Sequence, residues 1–379
     1  MDGGNSVHGL ERTPSVRPAL VGNPDDFHDL VMPTGAPKKL NDFTNSDRPQ
    51  LGLHIITFGD LTVVTLYFPH TLMDAMGQKA LLDAWCLMLN GKVGKVRTPH
   101  GVDTDPLATL GMTPVAEHKL APRQLGMLGL IGYGLGQAME LFRTQESRMV
   151  CVPQQTVEKV RKEVMADLGS PSSGHAVLSP FLSDGDILCA WWTRIVLSQL
   201  SPYPTQTVVL NHAYDIRRSL QEDLIPEGAP YISDAVCFIP VILTAKDILE
   251  KPLSYTALAI RNAITELGTR EQVEAFFSLW RRNPGKLLPI LGDRNMRMIT
   301  FSNWTKANLY ELDFSAAIAK GYDTKVAKPR YIQNTQSGLT LPNAFPIMGK
   351  DGQGNYWLSG YMNKAHWAAI EQELAATKW

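Results

Sequence analysis

Two short apolar runs of extended character open the ordered part of the chain. "LGLHIITF" (51–58) and "LTVVTLYF" (61–68) alternate large apolar with small or polar positions around Gly59-Asp60, predicting two strands joined by a tight turn. Past Asp74 the period changes: Met76, Ala80, Leu81, Ala84, Trp85 and Met88 fall on one helical face, and Asn90-Gly91 supplies a stop. "TPHGVDTDP" (98–106) reads as a loop, the nearly uncharged "LGMLGLIGYGLGQAMELF" (125–142) as a buried or surface-covering helix, and 155–167 as an amphipathic one.

"LGSPSSGH" (168–175) clusters Gly, Ser and Pro without an apolar face and is the best linker in the chain. Beyond it, "SDGDILCAWWTRIVLSQL" predicts a helix with Ser183 and Asp186 as a capping pair, ending before Pro202. Strand-like runs follow at 206–212, 235–243, 296–302, 308–312 and 356–361, and helical patterns at 255–267, 270–281 and 364–376. The prediction is an α/β (α+β) protein: an irregular lead-in over 1–50, rich in Gly, Pro, Asn and Asp, a first lobe over 51–174 and a second over 175–379.

Composition narrows the function classes. With 379 residues, 44% hydrophobic and 19% charged, the chain can bury a large core. Lys and Arg total 36 against 37 Asp and Glu, a net charge of −1, so neither nucleic acid nor an anionic membrane is recruited by charge. Segment 125–142 approaches bilayer length, but its glycines suit close packing and it has no basic flanks, so no membrane span is expected. Its glycines also miss the dinucleotide spacing. The four cysteines, Cys86, Cys151, Cys189 and Cys237, lack metal-like or paired spacing, and the N-terminus lacks an apolar core segment. Buried reduced thiols in a cytoplasmic protein are the expectation.

Candidate chemistry sits at the predicted strand-to-helix junction, "TLYFPHTLMDAMG", where His70 and Asp74 form a His-x-x-x-Asp pattern. Together with "GDILCAWWTR", with "YDIRRSL" from Tyr214 and with "SNWTKANLYELDFSAA" from Ser302, it resembles the fungal branch of the BAHD acyltransferases. More distantly, the pattern resembles that of chloramphenicol acetyltransferase. The resemblance runs from about Leu51 to the C-terminus. It implies two lobes of chloramphenicol-acetyltransferase type, each a mixed β-sheet with flanking helices, an active-site channel between them, and a monomer.

The resemblance also implies roles. His70 becomes the general base that takes a proton from an alcohol or amine attacking a thioester carbonyl, which a neutral imidazole can do. Asp74 turns inward and braces the geometry, with an arginine as partner. Ser302 and Trp304 line the channel opposite, as oxyanion donors, although Trp304 reads equally well as core. Asp313, opening the Asp-Phe pair, is expected to bridge to Arg217. Lys286, with Arg281 and Arg282, could meet CoA phosphates, or simply cap a solvated helix end. No cofactor is expected to be bound; acyl-CoA is the co-substrate, acetyl-CoA above all.

Three departures qualify the likeness, the first being Pro69 directly before His70, which fixes its own φ and removes one ladder donor at the strand end. The family's Asp-Phe-Gly-Trp-Gly is here Asp313-Phe314-Ser315-Ala316-Ala317, and only sixty-nine residues precede His70; a missing edge element would expose part of the first-lobe sheet or widen the channel mouth, unless the Pro-rich leader covers it instead. The expected function is therefore acyl-CoA-dependent O-acylation of a hydroxyl on a fungal secondary metabolite. The alternative keeps His70 as a proton-transfer group but loses CoA, catalysing a cyclisation or isomerisation; a non-catalytic binding protein with a relict pocket is a third reading.

Overall fold

The computed structural model describes residues 17–141, 143–169, 181–319, 326–336 and 341–377. Among the described residues, nine strands form two sheets. β2 (Gly52–Thr57) and β3 (Thr62–Tyr67) make a two-stranded antiparallel hairpin, in register from Gly52 with Tyr67 to Thr57 with Thr62. The other seven, β1 (Ala19–Gly22), β4 (Gln145–Val152), β5 (Thr207–Asp215), β6 (Val236–Thr244), β7 (Arg297–Asn303), β8 (Ala344–Lys350) and β9 (Tyr356–Asn363), form one sheet in the order β1-β4-β9-β8-β7-β5-β6. It is mixed, because β7 runs parallel to both β5 and β8 while every other neighbour is antiparallel.

The helices are α1 (His28–Val31), α2 (Leu40–Thr44), α3 (Ala75–Leu89), α4 (Met127–Leu141), α5 (Gln154–Leu168), α6 (Asp184–Gln199), α7 (Ala245–Glu250), α8 (Leu253–Leu267), α9 (Arg270–Arg282) and α10 (Lys364–Ala376). α5, α6, α8 and α10 cover one face of the large sheet, where Val157, Trp192, Ile260 and Trp367 meet Val150, Leu210, Phe301, Phe345 and Leu358 in one core. Helix α6 is buried along most of its length because its apolar residues occupy all sides and not a stripe. Trp192 stands edge-on to Phe345 at 5.6 Å, and its burial contributes about 3 kcal/mol. The expected cap is present: the Ser183 backbone N–H donates to Asp186 Oδ2 at 2.7 Å, and Arg261 of α8 binds the same carboxylate.

Several sequence expectations need correction. Lead-in residues 19–22 form edge strand β1 on β4 and are not irregular. β4 and β8 escaped the pattern reading, because Glu146 and Arg148 interrupt the first, and Pro346 and Gly349 the second. The strand expected at 308–312 is instead a 3-10 turn, Leu309–Glu311, preceded by another at Thr305–Ala307; Asn308 between them sits at φ 52°, a left-handed conformation that ends extended structure. The first lobe does not hold a mixed sheet of its own: its strands are the antiparallel hairpin, while β1 and β4 belong to the large sheet. α5 and α6, on either side of the expected division at 174, share one core, and the linker lies outside the described residues from position 170.

The hairpin leaves Leu53, Ile55 and Val64 exposed on one face, and α4 leaves Leu128, Ile131 and Leu135 exposed. Among the described residues no helix is long and apolar enough to cross a membrane. All four cysteines are buried and free.

Candidate active site

The turn between β3 and α3 carries His70. Pro69 starts it by accepting a hydrogen bond from the Leu72 amide at 2.9 Å, and Met73 is buried beneath it. This reversal lifts His70 into solvent, with 84% of its side chain exposed, and turns Asp74 inward to 6%. Asp74 occupies the N-cap of α3: its Oδ1 accepts from the amides of Met76 at 3.0 Å and Gly77 at 2.8 Å, satisfying donors that the first helical turn leaves free.

The same carboxylate closes a long-range clamp. Arg217, just past the end of β5, donates from Nη1 to Asp74 Oδ2 at 2.8 Å and from Nη2 to Asp74 Oδ1 at 2.9 Å, the two parallel bonds that a guanidinium forms best with a carboxylate. The backbone N–H of Ala235 donates to Asp74 Oδ2 at 2.8 Å. Arg217 Nη2 also reaches the carbonyls of Tyr231 at 3.1 Å and Ser233 at 2.8 Å, and Nη1 reaches Asp215 Oδ1 at 3.0 Å. Segment 231–235, which leads into β6, is thereby tied to the turn that carries His70.

Glycine makes that approach possible. A Cβ on Gly77 would stand 1.8 Å from the Ile232 carbonyl oxygen, so no other residue fits at this point of α3 without moving the segment. The clamp places Asp234 beside His70, with Oδ1 3.9 Å from Nδ1. The Asp234 carboxylate raises the imidazole above its ordinary 6.5. His118 and His212 behave differently: both are buried, and burial pushes each down to about 4, which keeps them neutral.

Ser302 and Trp304 lie at the C-terminal end of β7. The Trp304 indole N–H donates to Ser302 Oγ at 2.8 Å, and both side chains are half buried. Trp304 packs on the apolar cluster that includes Leu82 and Cys86 of α3, against which Met76 and Leu66 also pack, so the end of β7 abuts the helix that His70 precedes.

The expected Asp313–Arg217 bridge is not formed. Both terminal nitrogens of Arg217 are already occupied by Asp74, Asp215 and two carbonyls, while Asp313 is exposed and its Oδ1 accepts from the Ser315 amide at 2.9 Å, within its own turn. The arginine expected for Asp74 and the arginine expected for Asp313 are thus one residue, and burial assigns it to Asp74. Lys286 is exposed on a turn after α9; its carbonyl accepts from the Trp280 indole at 2.7 Å. Arg281 is engaged by the carbonyls of Ala108 and Leu110. Sequence reading gave no role to the Ala235 amide, Asp215, Gly77 or Asp234: Asp215 and Gly77 stand inside the motif segments "YDIRRSL" and "TLYFPHTLMDAMG", whereas Asp234 and Ala235 belong to no motif.

The frame is thus one large mixed sheet and a separate hairpin, with His70 lifted from a capped turn beside them. The chain matches the Transferase family over residues 18–327 and belongs to it; it is a BAHD-type acyltransferase. It is 38% identical over 372 residues to Transcriptional regulator calD of Penicillium decumbens, covering 95% of this chain and 75% of that one. It is 34% identical over 371 residues to Acetyltransferase adrJ of Penicillium rubens, covering 94% and 74%. Among solved structures, F. graminearum TRI101 complexed with Coenzyme A and T-2 mycotoxin superposes with a TM-score of 0.62 at 14% identity, over 86% of this chain and 68% of that one, a likeness of fold.

Proposed function

We propose that the protein transfers an acyl group, acetyl above all, from acyl-CoA to a hydroxyl of a fungal secondary metabolite, with His70 as the general base. The observation that carries this reading is the division of labour within one turn: His70 is exposed and free to meet a substrate, whereas Asp74 is buried and fully engaged in holding the turn. The acetyltransferase name of the Penicillium rubens relative and the Coenzyme A bound by TRI101 support the donor.

In the reaction, His70 Nε2 takes the acceptor's hydroxyl proton as the oxygen attacks the thioester carbonyl. The tetrahedral oxyanion then collapses, the C–S bond breaks, and the CoA thiolate leaves with the proton that the imidazolium returns. Because Trp304 spends its N–H on Ser302 Oγ, the hydroxyl hydrogen of Ser302 is the donor left to meet the oxyanion, and the indole polarises it. Trp304 thus orients the donor, held in place by its packing on the cluster of Leu82 and Cys86 of α3.

The near-balanced charge, −1 overall, gives a nucleic-acid backbone no electrostatic attraction, so a regulatory role of the kind in the calD name is not adopted. The test is CoA release from acetyl-CoA with a panel of polycyclic alcohols. Acceptor-dependent release is expected. Turnover of a substrate without any acyl donor would replace this reading by the cyclisation or isomerisation alternative.

A further inference from the structure

We infer that Asp234 is a positioning residue for His70, holding its imidazole with the proton on Nδ1 and leaving the Nε2 lone pair free. The inference rests on the reading of His70 as the base for its catalytic meaning, but its geometry stands independently.

Three observations converge on it. Asp234 Oδ1 lies 3.9 Å from His70 Nδ1, the carboxylate closest to that ring, and the approach is imposed by the backbone on both sides of Asp234. The Ser233 carbonyl accepts from Arg217 at 2.8 Å and the Ala235 amide donates to Asp74 at 2.8 Å, so the flanking residues are both pinned to the buried clamp. Gly77, where a Cβ would collide with Ile232 at 1.8 Å, keeps α3 close enough for that pinning.

The buried Asp74 cannot itself take this part. Its Oδ1 and Oδ2 point to the α3 amides, to Ala235 and to Arg217, away from the exposed ring. In this arrangement the first carboxylate builds the site and the second faces the imidazole. A neutral imidazole has one N–H and one lone pair, and a carboxylate beside Nδ1 attracts the proton to that side. The gap of 3.9 Å is longer than a hydrogen bond, as catalytic contacts often are before substrate is bound.

The charged groups facing His70 are Asp234 from the segment before β6 and Asp74 from its own turn, the latter neutralised by Arg217. Asp234 is 41% exposed, so no contribution to stability is expected from the contact, and its removal should act on catalysis alone.

The experiment compares wild type with Asp234→Asn, Asp234→Ala and Asp234→Glu, reading kcat, KM and the acid limb of the pH profile, and titrating the His70 ring by 15N NMR, with His70→Gln assigning its signal. The expected result is a fall in kcat of about tenfold to a hundredfold in the Asn and Ala variants, with KM for acyl-CoA and the melting temperature unchanged. The acid limb and the His70 titration move together to lower pH, and Asp234→Glu recovers part of the rate. An unaltered ring titration and tautomer in Asp234→Asn would overturn the inference, whatever the rates. A shifted titration alongside a fully active His70→Gln enzyme would uphold the contact while overturning His70 as the base, which keeps the two failures apart.

Discussion

The turn at His70 and the segment 302–317 both come from motifs of the same family likeness, yet they are held in opposite ways. In the first, a buried carboxylate and a guanidinium use their acceptors and donors on partners from α3, β5 and the lead to β6, far apart in sequence. In the second, short 3-10 turns follow one another, and the exposed Asp313 carboxylate accepts from the Ser315 amide two positions on. The contrast teaches where a motif residue is structural. A charge that leaves water must find an opposite charge and hydrogen bonds, so its partner is fixed; an exposed charge has no such demand, and its pairing drifts freely with the sequence around it.

Breaking the clamp is the strongest test of that contrast. Arg217→Ala strands the Asp74 carboxylate in a buried setting and should destabilise by about 3–5 kcal/mol, seen as a large fall in melting temperature or loss of soluble protein. Arg217→Lys, which keeps the charge but loses the fork, should fall between that and wild type. Next, Gly77→Ala forces the Ile232 carbonyl away from α3 and should destabilise by about 1–3 kcal/mol, measured by denaturant unfolding; an unchanged midpoint would show the approach to be slack.

Effects in the other region should fall on rate more than on stability. Ser302→Ala should lower kcat by about tenfold to a hundredfold with the melting temperature preserved, and Trp304→Phe, which removes the bond that orients Ser302 and trims the ring packed on Leu82 and Cys86, should lower kcat by less, with a small fall in melting temperature. Asp313→Asn and Lys286→Ala are expected to stay within about 0.5 kcal/mol of wild type in stability, because both residues are exposed. A large loss from Asp313→Asn would mean that the exposed aspartate has a partner in the working enzyme that its local turn does not reveal.

Much of the frame was readable from pattern. The hairpin at 51–68, α3 with its stop at Asn90-Gly91, the capped helix α6, and strands β5, β6, β7 and β9 follow from periodicity and caps because their burial is regular. β4 and β8 were not, since charged residues, proline and glycine interrupt strands whose place in the sheet is decided by partners on either side. At the site, His70 and Asp74 were legible because they share one turn. The assignment of Arg217 was not: two aspartates competed for one arginine, and only burial, which depends on the whole fold, decides for Asp74. Asp234 carries no local signal at all; it arrives beside His70 through a clamp that joins residues more than a hundred and forty positions apart.

The central claim is that the exposed histidine of this turn performs the proton transfer while the buried aspartate only holds it. It is tested most directly by comparing acetyl-CoA turnover in His70→Ala and Asp74→Asn with their melting temperatures. The account predicts that His70→Ala loses about a hundredfold or more in kcat at an unchanged melting temperature, while Asp74→Asn loses stability and activity together. A His70→Ala enzyme that turns over at the wild-type rate would contradict it.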